Sequence, residues 1–417
     1  MKKTNIKSIL ILILVIPFLC IRCTKSPDEN LPNEPVKINL TDVQSSLVGS
    51  GNSFAFDIFR EILENSEPAE NIIISPLSIS YALSMTLNGA HGATREAMLE
   101  ALRVNGITPE EINTACKDLT KALLNVDKRV IMSIANSVWT EKDFNVKQAF
   151  INILTEYYDA ESKDFDIADP TVPEKVNEWI EDKTNGLIKD MLDRLPDNSV
   201  MLLINAIYFK GKWKSQFEAD ETLNQPFYLY SGSSAEVPTM RQKSDFKVLD
   251  GDGFIMGEFP YGQGNFVMDI ILPDERNGLN ALLPAITDDA FAGWVDQLSE
   301  KEVNLFLPRF KYDFKKGLVD ILTDMGMGIA FTDGADFTNI AEFPPLLISD
   351  VLHQAFIETN EEGTEAAAAT VVIIGITSYN PNSPIQFVAN HPFIYVIREV
   401  TTGSIIFMGR VSDPRSE

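Results

Sequence analysis

The sequence predicts an α+β fold with large antiparallel or mixed sheets. Two observations carry this. Apolar residues recur at helical spacing mainly in the first half, whereas β-branched and aromatic runs bounded by turn residues dominate after Pro226. No fixed-period repeat is present, and 417 residues with 45% hydrophobic content suffice for a large core.

The elements follow in order. Lys2, Lys3 and Lys7 precede an apolar run from Ile9 to Ile21, the pattern of a secretory signal peptide (1–23) too short for a typical spanning helix. A cysteine before the polar stretch Thr24–Asn30 resembles a bacterial lipoprotein processing site, with Cys23 the expected lipid acceptor and Cys20 the alternative. The small residues expected before such a cysteine are missing, so a cleaved signal without lipid stays open. The chain is expected to be exported, as an outer-membrane or cell-surface lipoprotein or else periplasmic or secreted. Either way only Cys116 remains in the mature domain, which excludes an internal disulfide.

Residues 24–46, with Pro27, Pro32 and Pro35, read as a flexible polar tether, and a single domain is expected over 47–414. Phe54, Ile58, Phe59 and Ile62 predict a first amphipathic helix from Asn52. Asn71–Ser80 reads as a short strand turning into a buried helix, with Ser75 as N-cap and Pro76 at the first helical position. Helices are predicted from Thr94 and over 109–125, the second packing Cys116 inside. Ile131–Thr140 reads as a buried strand, Pro173–Leu192 as an amphipathic helix interrupted by Gly186, and Met201–Phe209 as a second buried strand. Strands at Phe266–Leu272 and Val303–Leu307, a helix over 317–325 and a closing hairpin (393–398 and 404–410) complete the reading.

Composition narrows the chemistry. Sixty acidic against 35 basic residues give a net charge of −25, which argues against nucleic acid and anionic membrane surfaces as partners. The three histidines, His91, His353 and His391, lie near no nucleophile-elbow pattern, and Gly-x-Ser-x-Gly, His-Glu-x-x-His and phosphate-binding glycine loops are absent. No catalytic residue, metal or cofactor is expected; the chain does not read as an enzyme.

The stretch Glu361-Glu362-Gly363-Thr364-Glu365-Ala366-Ala367-Ala368-Ala369-Thr370 is unusual. As a strand it would place Thr364, Ala366, Ala368, Thr370, Val372 and Ile374 on one face and Glu365 on the other, so nothing larger than Thr meets a core before position 372. Such a segment can join an existing sheet without burying a charge. The stretch resembles the hinge of the reactive-centre loop of inhibitory serpins. Asn205-Ala206-Ile207-Tyr208-Phe209-Lys210-Gly211-Lys212-Trp213, Val351-Leu352-His353-Gln354-Ala355 and His391-Pro392-Phe393 resemble further serpin strings, and the likeness covers about residues 47–414.

The resemblance implies eight to nine helices around three sheets, an exposed loop at 361–383, and a monomeric suicide inhibitor. A target endopeptidase attacks the loop and forms an acyl-enzyme, and the cut loop inserts into the central sheet before deacylation. Thr364–Thr377, 14 residues (377 − 364 + 1), spans about 46 Å at roughly 3.3 Å per residue. Family spacing places the reactive bond at Thr377–Ser378. The stretch from Ser378 to Pro392 is about four residues longer than usual, so Ile376 and Tyr379 are the alternatives. With no Lys or Arg between Glu361 and Ile397, the expected targets are elastase-like or subtilisin-like, then chymotrypsin-like or papain-like. Ser75, Ser78, Asn205 and His353, with Trp213, are implied as the cluster that governs sheet opening. A serpin-fold binding protein without inhibition, or a substrate that is cut without trapping, is the alternative.

Overall fold

A computed structural model describes residues 34–195, 199–343, 345–363 and 384–415. The helical first half comprises α1 (Asp42–Glu64), the short strand β1 (Ile72–Ile74), α2 (Pro76–Leu87), α3 (Gly92–Ala101) and α4 (Pro109–Val126). Next come β2 (Val130–Glu141), α5 (Gln148–Tyr158), β3 (Glu161–Phe165), α6 (Val172–Lys183) and β4 (Met201–Gly211). The second half runs β5 (Leu223–Tyr228), β6 (Ser234–Asp250), β7 (Phe254–Pro260), β8 (Phe266–Pro273), α7 (Leu279–Leu282), α8 (Asp288–Gln297), β9 (Ser299–Pro308), β10 (Phe310–Gly317) and the single turn α9 (Val319–Leu322). Strands β11 (Leu352–Thr359), β12 (Ile385–Val388), β13 (Phe393–Glu399) and β14 (Ile405–Val411) complete it. No helix among the described residues is long and apolar enough to cross a membrane.

Local chemistry sets these boundaries. Thr41 with Gln44, and Thr108 with Glu111, form reciprocal capping boxes that start α1 and α4. Ser75 caps α2, accepting from the Ser78 N–H, with Pro76 where its missing N–H costs nothing. The helix expected over 317–325 begins as α9 and continues as a wider π turn from Thr323, ending where Gly326 takes φ 97°. Strand β2 is less buried than expected at its start, where Ile131 is 58% exposed.

The first helix starts earlier than expected, at Asp42, inside the stretch read as tether. The residues before it are docked as well. The Val36 N–H donates to Asn265 Oδ1 (2.7 Å), Asn265 Nδ2 donates back to the Val36 carbonyl (2.8 Å), and the Ile38 N–H donates to Thr401 Oγ1 (3.0 Å). Ile38 and Leu40 pack against the main core. Periodicity could not reveal this, since the receptor is a buried amide more than 200 positions away.

Three sheets form among the described residues. The largest has the order β1-β14-β13-β8-β7-β6-β9-β12, with β5 on β6. The other two are β3-β2-β4 and the antiparallel pair β10-β11. The main core is aromatic-rich beneath them: Phe209 meets Tyr261, Phe266 and Phe407 edge to face. A second cluster lies where α6 covers the outer face of β2 and β4. It joins Val176, Trp179 and Ile180 to Trp139, Ile204 and Ala206, and Leu352 and Phe356 of β11 pack against it. This cluster therefore draws on α6 and on both smaller sheets.

Asn265 is fully buried and also donates to Glu399 Oε1 (2.8 Å). Removing residues 34–40 leaves its amide short of two partners, a loss of about 1–3 kcal/mol. A chain starting at Thr41 is expected to melt a few degrees below one starting at Glu34 in a thermal scan. Equal midpoints would show that the docked segment contributes nothing.

Candidate functional site

The smaller sheets face each other edge to edge. Strand β4 pairs only with β2, and β11 only with β10, so among the described residues their facing edges have no ladder partner. Between them lies a cavity of about 430 Å³, lined by Leu203, Ile204, Met191, Leu192 and Leu352, with Ser78, Asn205 and His353 as its polar floor. Along β11 and its continuation, Gln354 Oε1, Thr359 Oγ1 and Asn360 Nδ2 are buried without a hydrogen-bond partner among the described residues. Buried polar groups normally find partners, so these three are exceptions along one strand whose outer edge has no ladder partner among the described residues.

The polar floor assembles four of the residues singled out from the sequence. The Ser75 N–H donates to His353 Nε2 (3.1 Å), and the Ser75 hydroxyl to the Ile406 carbonyl (2.8 Å). Ser75 Oγ caps Ser78, whose hydroxyl donates to Asn205 Oδ1. Asn205 Nδ2 then donates to Asn136 Oδ1 (2.6 Å), and Asn136 Nδ2 to the Tyr158 carbonyl (2.7 Å). The chain of bonds runs beneath the slot from its β11 wall, through the α2 N-terminus, to β4 and β2. Asn136 was not anticipated; its role follows from its pairing with Asn205 across two antiparallel strands.

Because His353 accepts at Nε2, its ring is neutral, and burial depresses its pKa from 6.5 to about 4. Trp213 lies apart from this floor, about 26 Å along the strand from Asn205 at roughly 3.3 Å per residue. There it stacks on Tyr261, with ring centroids 4.4 Å apart.

The top of the slot is closed by the start of the hinge. Trp213 donates its N–H to the Glu362 carbonyl and its indole N–H to the Asn360 carbonyl, each at 2.8 Å. The Phe217 N–H donates to the Glu361 carbonyl (3.0 Å). The Glu361 carboxylate is 4% exposed; it accepts from Arg309 Nε at 2.8 and 2.9 Å and from the Thr222 hydroxyl. Gly363 bridges Lys212 on one wall and Asn360 on the other. Its φ is +143°, and a Cβ there would stand 2.1 Å from the Gly211 carbonyl oxygen, so only glycine fits.

Arg309 and Thr222 escaped the sequence reading because nothing in a linear pattern pairs residues so far apart. The hinge residues Thr364, Glu365, Ala366, Ala367, Ala368, Ala369 and Thr370, the reactive bond at Thr377–Ser378 with its alternatives Ile376 and Tyr379, and Cys20 and Cys23 lie outside the described residues.

Two outcomes follow from this geometry. Arg309→Ala strands the buried Glu361 carboxylate and is expected to lower the stability of the uncleaved protein by about 3 kcal/mol, read as the urea midpoint. An unchanged midpoint would show that the pair does not hold the hinge. His353 binds a proton less readily folded than unfolded, so its contribution is full above pH 6.5 and is lost as pH falls towards 4. Over that window wild-type protein is expected to lose about 3 kcal/mol more than His353→Gln, which keeps an acceptor for Ser75 but does not titrate. Parallel stability curves would contradict this.

The model of the family described as "Serpin (serine protease inhibitor)" matches residues 50–414. Leukocyte elastase inhibitor of Sus scrofa is 36% identical over 384 residues, covering 88% of this chain and 99% of that protein. The thermophilic serpin Tengpin in its native state superposes with a TM-score of 0.80 at 30% identity, covering 93% of this chain and 98% of Tengpin. Human thyroxine-binding globulin complexed with thyroxine superposes with a TM-score of 0.81 at 26% identity, covering 90% of this chain and 100% of the globulin. With a family model matching most of its length and relatives above 30% identity over nearly all of it, this chain belongs to the serpin family.

Proposed function

We propose that this serpin is a suicide inhibitor of a serine endopeptidase, trapping it as an acyl-enzyme by inserting its cut loop into the slot. The protein is then consumed rather than turning over. The observation that supports this most is the pair of strand edges that have no ladder partner among the described residues, bridged at their top by Gly363. Continuing both bridges antiparallel fixes a register. Gly363 opposite Lys212 gives partner numbers summing to 575, and opposite Asn360 to 723. Position 370 then falls opposite Asn205 (575 − 370) and also opposite His353 (723 − 370). A threonine would arrive at the polar floor from both sides, able to hydrogen-bond there.

Position 368 falls opposite Ile207 and Ala355, both buried, where alanine fits and a large side chain would not. The small residues of the hinge thus match the places where the register meets the core. An acyl-enzyme persists only if insertion outruns deacylation, which makes the uncut form kinetically protected.

The uncharged, β-branched loop around Thr377–Ser378 suits elastase-like or subtilisin-like specificity pockets, and the likeness to a leukocyte elastase inhibitor supports that class. A papain-like cysteine endopeptidase remains within the same chemistry, because it too forms an acyl-enzyme. An N-terminal signal, with lipid at Cys23 or Cys20, belongs to this proposal and would keep the inhibitor at a cell surface. A non-inhibitory binding protein is the second reading, favoured by the close superposition on thyroxine-binding globulin.

Incubation with pancreatic elastase, followed by a denaturing gel and mass spectrometry, tests the proposal. The expected product is an SDS-stable adduct with a C-terminal fragment beginning at Ser378, and Ala368→Arg is expected to give cleavage without adduct. Clean cleavage of wild-type protein with no gain in melting temperature would favour the binding-protein reading.

A further inference from the structure

We propose that Lys315 is a latch across the lower half of the slot, and that it limits how fast a strand can enter there. This rests on the insertion reading above and adds a control on its rate.

Lys315 lies on the exposed face of β10, opposite Gln354 of β11, and so belongs to one wall. Its ammonium donates to the Asp190 carbonyl (2.9 Å) and to Asp193 Oδ2 (2.8 Å). Both acceptors sit in the connection 184–195 between α6 and β4, which belongs to the other wall. A single side chain thus ties the two walls together below the level of the hinge.

The tied segment covers the place a new strand would occupy. Met191 and Leu192 line the cavity, and Ile188 and Leu192 are buried in the α6 cluster. Asn177 of α6 grips Leu192 twice, donating to its carbonyl (2.9 Å) and accepting from its N–H (2.8 Å). The connection is therefore one unit with α6 on its near side and is held to β10 by Lys315 on its far side.

Its backbone turns twice: Asn185 and Asp190 adopt left-handed φ of 53° and 52°, a conformation that Asn and Asp visit more readily than other non-glycine residues. Lys315 bonds the carbonyl of one of the two. A strand coming into the lower slot must pass beneath Met191 and Leu192, and lifting them draws Asp190 and Asp193 away from Lys315.

Lys189 provides an internal comparison. It pairs with Glu181 of α6 at 2.8 Å, so replacing it removes one positive charge from the connection itself without breaking a tie across the slot. Partly exposed ion pairs are weak, and the expected effect of breaking the latch is about two- to fivefold in insertion rate. In a race between insertion and deacylation that factor appears directly in the ratio of trapped to cleaved inhibitor.

The test compares wild-type protein, Lys315→Met and Lys189→Met after cutting with pancreatic elastase or subtilisin. The readouts are the rate of the tryptophan fluorescence change after the cut, the ratio of adduct to cleaved product, and the melting temperatures of intact and cut protein. Lys315→Met is expected to insert about two- to fivefold faster, to raise the adduct fraction, and to lower the melting temperature of the intact form more than that of the cut form. Lys189→Met is expected to match wild type in all three. If wild-type protein gains stability on cutting but Lys315→Met inserts no faster, or Lys189→Met speeds insertion equally, the latch is wrong and insertion stands. If cutting brings no stabilisation of wild type, the insertion reading fails and the latch falls with it.

Discussion

Two strand edges held apart are the constraint on which the rest of this structure depends. Strands β4 and β11 present backbone groups to a slot in which no described strand pairs with them. At about 1 kcal/mol net per hydrogen bond, a strand of a dozen residues bonded on both edges would gain as much as the whole stability of an ordinary domain. Under the insertion proposed above, the chain must be kept out of that place until the loop is cut. The contacts of Glu361 and Gly363, the polar floor and the cover on the outer face would serve that requirement in three different ways.

The hinge lock is electrostatic and steric. Glu361 is buried against Arg309, and Gly363 brings the backbone so close to Gly211 that no side chain can intervene. The floor relies on satisfied polar groups rather than charge. His353 stays neutral because burial disfavours its charged form, and it accepts one hydrogen bond from the N-terminus of α2. A network of neutral donors and acceptors can exchange partners when a strand arrives, at less cost than a buried ion pair would demand. The cover is chiefly apolar: α6 shares one cluster with Ile204 and Ala206, against which Leu352 and Phe356 of β11 pack. It makes directional bonds to Glu161 of β3, from the Trp179 indole and from Lys183.

Docking of residues 36–38 places a further element near the lock. Asn265, which receives Val36, follows the turn whose Gly262 N–H donates to the Lys212 carbonyl (2.7 Å), and Tyr261 of the same turn stacks on Trp213. Trp213 in turn holds Asn360 and Glu362. The N-terminal segment thus braces the neighbourhood of the hinge rather than hanging from the body as a free tether.

The sequence alone determined the α+β class, the cap of α2, and strands β1, β2, β4, β8, β9, β13 and β14 to within a few residues. These rest on spacing, capping chemistry and side-chain size, all local properties of the chain. Ser75, Ser78, Asn205 and His353 were legible as a group only through family resemblance, since nothing local says that they meet. Tertiary structure decided the remainder: Arg309 on Glu361, Asn136 beneath Asn205, Asn265 on Val36 and Lys315 on Asp190. Each of these pairs joins residues far apart in the chain, and in the first three a buried polar group is matched through space. The separation of β4 from β11 was decided there as well. β4 reads simply as a buried strand and β11 carries a serpin-like string, and whether two such segments pair or stand apart depends on what else packs between and above them.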